Sequence, residues 1–191
     1  MGKLVIASGN KGKVREFEEY LRGLGLELFP KPDHLEIEET GQTFMENARL
    51  KATHTALATH CFALADDSGL EVDALGGAPG VYSSRYGRTD AERISRLLTE
   101  LGDRPSSARF VCAIAVADPQ GQIVAEALGT CEGEIVHTPK GSQGFGYDPI
   151  FYVPQYQLTF GEMSPALKGQ ISHRARALAQ LLPQLQNLPW D

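Results

Sequence analysis

Four carboxylates and one lysine-bearing glycine turn are the residues of this chain best suited to chemistry: Glu38, Glu39, Asp66 and Asp67, and Ser8-Gly9-Asn10-Lys11-Gly12-Lys13. The turn follows the apolar run Leu4-Val5-Ile6-Ala7 and leads straight into a helical pattern. A strand that ends in such a turn and opens a helix points backbone N–H groups outward at the positive end of the helix dipole. That is the outline of an anion site. Gly9 and Gly12 allow close backbone approach, Asn10 tolerates left-handed geometry, and Lys11 and Lys13 offer charge to a polyphosphate. It is not a Walker A loop, which needs a four-residue gap between its glycines and a Gly-Lys-Ser/Thr ending. An ordinary strand-to-helix connection is the alternative reading. The carboxylates have the character to hold a hard divalent cation against phosphate oxygens. Mg²⁺ takes one or two carboxylates and fills the rest of its shell with water and substrate oxygens. Side chains alternate along a strand, so only one of the neighbours Asp66 and Asp67 is expected to touch a metal. Read alone, Asp67-Ser68-Gly69 is also simply a turn capped by its aspartate.

Two further clusters stand out. Gly144-Phe145-Gly146-Tyr147-Asp148-Pro149 sets two aromatics and an acid in a glycine-proline frame. In a loop, such a ring is a platform for a nucleobase and the carboxylate can read its polar edge; the alternative is a loop whose rings plug the core. Ser172-His173-Arg174 precedes an apolar helical stripe, where backbone amides, an imidazole and a guanidinium could converge on an anion or a base carbonyl. Cations at a helix start oppose the dipole, and an anionic ligand is one reason to keep them there. Lys51 and Lys168 lie outside any run and, on local sequence, read as surface charges.

The elements that must position these residues follow from periodicity. Val14, Phe17, Leu21 and Leu24 recur at steps of three and four, predicting an amphipathic helix that ends near Gly23 or Gly25, then a short strand over 26–29. Pro30 and Pro32 break the chain, and the acidic stretch 36–41 reads as a loop before a helix over about 43–60. Phe62-Ala63-Leu64-Ala65 predicts a short buried strand, stopped by Asp66-Asp67-Ser68-Gly69. Gly76-Gly77-Ala78-Pro79-Gly80 is a loop, and Thr89-x-x-Glu92 is a capping box for a helix carrying Ile94, Leu97, Leu98 and Leu101. Strands over 110–117 and 123–130, joined by Asp118-Pro119-Gln120-Gly121, predict an antiparallel hairpin. The last helix starts after Ser172 with Ala175, Leu178, Leu182 and Leu185 on one stripe, and Pro183 is expected to kink or end it.

With 191 residues and 42% hydrophobic content, the chain is long enough for one sizeable domain over 1–191 with a real core. A net charge of −6 and a pI near 5.4 argue against a broad footprint for nucleic acid. Cys61, Cys112 and Cys131 lie far apart without a C-x-x-C pair, so buried thiols are expected rather than zinc or a disulfide framework. No apolar stretch of about twenty residues suits a bilayer, and the first residues read as a strand rather than a secretory leader. The expected compartment is the cytoplasm.

Taken together, the segments resemble the inosine triphosphate pyrophosphatase family. Ser8-Gly9-Asn10-x-x-Lys13 is similar to its opening motif, and Glu39-Thr40-Gly41-x-Thr43-Phe44-x-Glu46-Asn47-Ala48-x-x-Lys51-Ala52 to its acidic loop and helix. Ala65-Asp66-Asp67-Ser68-Gly69-Leu70, Gly76-Gly77-x-Pro79-Gly80-Val81-Tyr82-Ser83-x-Arg85-Tyr86, Gly144-Phe145-Gly146-Tyr147-Asp148-Pro149-x-Phe151 and Ser172-His173-Arg174 follow in the family's order. Gln143 departs from the glycine common at that position. The resemblance implies an α/β fold with a mixed central β-sheet, flanking helices and two lobes around a substrate cleft, in a homodimer. It implies Mg²⁺-dependent attack of water between the α- and β-phosphates of non-standard purine nucleoside triphosphates (ITP, dITP, XTP), sanitising the nucleotide pool. Ser8, Gly9, Asn10, Lys11, Gly12 and Lys13 would hold phosphates, Glu39 and Asp67 would serve the metal, and Asp67 would accept the proton. Lys51, Ser68 and Lys168 would contact substrate, while Phe145, Gly146, Tyr147, Asp148, His173 and Arg174 would hold the base. A 6-oxo group accepts hydrogen bonds from Arg or His, whereas an adenine amino group leaves each donor unpaired at about 1–3 kcal/mol. A pyrophosphatase for another modified nucleotide and a nucleotide-binding sensor without catalysis are the alternatives.

Overall fold

The computed structural model describes residues 2–190 and builds them around a seven-stranded sheet of order β2-β1-β3-β4-β5-β6-β7. In chain order the elements are β1 (Lys3–Ile6), α1 (Lys11–Leu21), β2 (Glu27–Pro30), α2 (Phe44–Thr59), β3 (Phe62–Val72) and α3 (Asp90–Leu101). β4 (Ser107–Ala117), β5 (Ile123–Ile135), β6 (Phe151–Val153), β7 (Leu158–Thr159), α4 (Pro165–Ile171) and α5 (His173–Leu185) follow. The sheet is mixed. β1 runs parallel to β2 and to β3, whereas β6 runs antiparallel to β5 and β7. The parallel connections travel through α1 and α2, as such crossovers require. Asp118 N–H to Gln122 O at one end and Ile135 N–H to Ser106 O at the other make β4 and β5 the expected antiparallel hairpin. Asp118 Oδ1 accepts from the Gln120 and Gln122 amides and so shapes its turn.

The chain divides into two compact units, each with its own core. The first comprises 1–67, 112–129 and 176–191, and the second 68–111 and 130–175. In the first, Leu4, Ile6, Phe62 and Leu64 pack with Phe17 and Leu21 of α1 and with Leu178, Leu181 and Leu185 of α5. α5 runs through Pro183 to Leu185 instead of ending there, because the apolar stripe on both sides of the proline is buried in this core. Ala48, Ala52 and Ala56, spaced by four, give α2 a fully buried face of small side chains. In the second unit, Leu97 and Leu101 of α3 pack with Leu70, Val72, Phe110, Phe151 and Phe160.

Local signals explain most helix starts. Thr43 and Glu46 form a full capping box at α2. The expected box at α3 is half made: Thr89 Oγ1 accepts the Glu92 N–H, but Glu92 reaches one residue further back, to the Arg88 N–H. Ser164 caps α4 ahead of Pro165, and at seven residues α4 is too short to show a helical period. Cys112 and Cys131 are buried thiols as expected, and Cys61 is partly buried. No helix among the described residues is long and apolar enough to cross a membrane.

Candidate active site

The largest departure from the sequence reading is β3, which continues as a strand through Asp66-Asp67-Ser68-Gly69 to Val72 rather than stopping at the acids. Two carboxylates survive in a buried strand because each finds partners on a helix. Phe62 and Leu64 face the core that contains α1, and Asp66, two residues on, meets Lys13 of α1, Nζ to Oδ2 2.8 Å. Asp67 points the other way, toward α2, where Asn47 Nδ2 donates to its Oδ2 at 2.9 Å and Lys51 Nζ lies 3.8 Å from its Oδ1. The strand's two-residue period thus separates the neighbouring acids onto different helices, as expected.

Lys51 is not a surface charge. Its Nζ lies 2.6 Å from Glu39 Oε1 as well as beside Asp67, so one ammonium joins the acidic loop to β3. Burial pulls Lys51 down, yet the carboxylates Asp66, Asp67 and Glu39 outweigh it and raise its pKa. Glu39 faces this cluster, while Glu38 is exposed. Burial pushes Asp67 up to about 6, against the opposing pull of Lys51, Asn47 and Lys13, with Glu39 adding to the rise. Asn47, which the sequence reading gave no role, is fully buried and also accepts the Gly41 N–H at 2.8 Å, tying the acidic loop to Asp67. An asparagine inside the small-residue face of a helix was the available signal. A Cβ on Gly41 would come within 2.7 Å of Asn47 Oδ1, so the loop approaches α2 too closely for any other residue.

At the first turn, Asn10 is extended (φ −86°), not left-handed, and acts as the N-cap of α1. Its Oδ1 accepts from the Gly12 and Lys13 amides, and its own N–H donates to Ser8 Oγ. Two of the amides expected to point outward are therefore held by the cap. Lys11 is exposed, and a Cβ on Gly9 would meet no protein atom within 4 Å, so the protein's own packing does not demand a glycine there.

In the second unit, Asp148 is buried and its Oδ2 gathers the Phe145 N–H (3.0 Å) and Lys168 Nζ (2.5 Å). Lys168 stands on α4 with its Nζ 5.0 Å from the Phe145 ring centroid, within cation–π range. A Cβ on Gly144, whose φ is +75°, would sit 1.9 Å from Asp148 Oδ2. Phe145 is half-buried and Tyr147 is part of the core, so of the two rings only Phe145 offers an open face. His173 stacks on Phe110 with centroids 4.7 Å apart, and Arg174, 2% exposed, donates from Nη2 to Ser68 Oγ at 3.1 Å. Ser172 Oγ accepts the Ala175 N–H and so organises the start of α5.

The predicted side chains that meet one another fall into two sets, while Ser8, Gly9, Asn10, Lys11, Gly12, Gly146 and Tyr147 lie outside both. Lys13, Glu39, Lys51, Asp66 and Asp67 form a charged cluster in the first unit. Ser68, Phe145, Asp148, Lys168, His173 and Arg174 form a polar-aromatic set in the second.

The comparisons with known proteins bear on the same residues. A model of the Ham1 family matches residues 4–184. A dITP/XTP pyrophosphatase of Nostoc sp. is 59% identical over 95% of this chain and 93% of its own length. One from Synechocystis sp. is 50% identical over 100% of this chain and 99% of its own. Among solved structures, a HAM1 protein from Coxiella burnetii superposes with TM-score 0.91 at 47% identity, covering 98% of this chain and 100% of that one. The nucleoside-triphosphatase / dITP/XTP pyrophosphatase of Mycobacterium abscessus gives a TM-score of 0.76 at 40% identity, covering 96% and 99%. A match that spans both cores and every motif of the charged and aromatic sets places this chain in the Ham1 family.

Proposed function

We propose that this chain is a pyrophosphohydrolase that cleaves dITP, ITP and XTP to the nucleoside monophosphate and pyrophosphate, acting as one catalytic domain over residues 1–191. The observation that carries the reading is the convergence of Glu39 and Asp67 on a single ammonium, that of Lys51. Two hard carboxylates that already share one cation suit Mg²⁺, which needs few protein ligands when phosphate oxygens and water complete its shell. Glu39 and Asp67 would hold the ion. Bound there, Mg²⁺ would lower the pKa of an attacking water and offset phosphate charge.

The chain's own residues supply the rest. Asp67, raised to about 6, is ionised at neutral pH and basic enough to take a proton from water. Asn47 fixes the orientation of that carboxylate. Lys13 and Lys51, held by Asp66 and Glu39, stand beside the base as cations for the triphosphate, together with the Ser8 to Lys13 turn. Phe145 would stack on the purine, while Lys168, His173 and Arg174 would donate toward its 6-oxo edge, with Ser68 and Asp148 orienting Arg174 and Lys168. A homodimer working in the cytoplasm belongs to the same proposal, the dimer resting on the family resemblance. Product analysis tests the reaction: dIMP and pyrophosphate in equal amounts are expected from dITP, and dIDP with inorganic phosphate would overturn it.

A further inference from the structure

The loop that carries Phe145 and Asp148 is held from outside by groups to which neither the sequence motifs nor the proposed chemistry gives a role. Gly146 N–H donates to Asp90 Oδ2 at 2.8 Å, across 56 positions of sequence. The other oxygen of Asp90 takes Arg93 Nη1 at 2.5 Å, and Arg93 Nε in turn donates to Ser84 O at 3.0 Å. Next to Gly146 in the chain, the Tyr147 hydroxyl donates to Ser83 O at 2.7 Å. Ser83 is itself fixed, accepting the Leu70 N–H and donating to Gly80 O. The segment Gly80–Arg85 and the first turn of α3 therefore form a template against which the loop is set. This gives Gly80, Ser83 and Ser84 a structural role that their residue types do not announce.

We propose that Asp90 is a positioning residue for base selection: its carboxylate holds the Gly146 amide and thereby fixes Phe145 and Asp148 where a purine is read. Asp90 touches no substrate in this account, and the proposal rests on the pyrophosphohydrolase reading above. The geometry separates two ways in which Asp90 could matter. The bond from Gly146 needs only an acceptor oxygen, which an asparagine keeps, whereas the pairing with Arg93 needs the charge. Asp90 is half-buried at the start of a helix, so its replacement leaves the core intact.

The experiment compares wild type, Asp90→Asn and Asp90→Ala in pyrophosphate release from dITP and dATP, with amide hydrogen exchange over 144–148 and Tm measured on the same proteins. The alanine variant is expected to raise KM for dITP about tenfold with kcat within about threefold, the loss of one hydrogen bond. Its Gly146 amide should exchange about tenfold faster, and selectivity for dITP over dATP should fall in proportion to the KM change. The asparagine variant should recover wild-type KM and exchange, although it loses the same helix-dipole and Arg93 contacts. Alanine and asparagine behaving alike would overturn the proposal in favour of a purely structural charge. So would an alanine KM equal to that of wild type. A wild-type protein that releases nothing from dITP would instead overturn the underlying functional reading.

Discussion

Replacing Asp67 with asparagine is expected to make the metal-free protein more stable while removing its catalysis. Burial pushes the Asp67 carboxyl from 3.8 up to about 6, so the folded state binds this proton more tightly than the unfolded chain does. A difference of roughly two pKa units corresponds to about 3 kcal/mol. The group's contribution is fully present below about pH 4 and is lost as pH rises through about 6, leaving the ionised folded form penalised above pH 7. Asparagine has nearly the same shape, carries no charge, and keeps an oxygen to accept from Asn47. Lys51 retains Glu39 at 2.6 Å, so no cation is stranded. In urea unfolding with EDTA, the variant should exceed wild type by less than about 1 kcal/mol at pH 4 and by about 3 kcal/mol at pH 8. In Mg²⁺, its turnover of dITP should fall by at least about 10². A variant no more stable than wild type at pH 8, or a stability difference independent of pH, would refute the assignment of Asp67 as a strained, buried base.

Three other expectations follow from the same geometry. Because Asp67 must be ionised to accept a proton, kcat/KM for dITP should decline with unit slope as pH falls, with a midpoint at or below about 6 in saturating Mg²⁺; a midpoint above 7 in the pH–rate profile would contradict this. Gly144→Ala drives a Cβ into Asp148 and should separate that carboxylate from Lys168, raising KM for dITP at least about tenfold, whereas an unchanged KM would disconnect the Asp148–Lys168 pair from base binding. Phe160, fully buried and packed on Phe110 and Phe151, should cost about 3–5 kcal/mol when cut to alanine, and a loss below about 1 kcal/mol in urea unfolding would mean that this core refills the space.

Periodicity carried the helices and the hairpin well. The stripe of α3, the Asp118 turn and the small-residue face of α2 each depend on neighbours within a few positions, and such signals are written locally. Asp66-Asp67-Ser68-Gly69 has the composition of a turn, so local sequence ends β3 at Ala65 although the strand runs on to Val72. What keeps it extended is Lys13, Asn47 and Lys51, which lie 16 to 53 positions away and become neighbours only in the fold. β6 and β7, of three and two residues, and the seven-residue α4 are too short to show a period. Within the candidate site, the residue types announced Asp67, Glu39 and the Phe145 loop. They did not announce Asn47 or Asp90, whose bonds to Asp67 and Gly146 reach 20 and 56 positions along the chain. Nor did they show that Asn10 spends its side chain capping α1, or that Tyr147 turns into the core.

Mg²⁺-dependent hydrolysis of 6-oxo purine triphosphates is put to the test by pyrophosphate release from dITP and dATP side by side, first with Mg²⁺ and then with EDTA. Rapid release from dITP, at least about tenfold slower release from dATP, and loss of both in EDTA is the predicted result. Equal rates for the two nucleotides, or turnover that persists in EDTA, would contradict it.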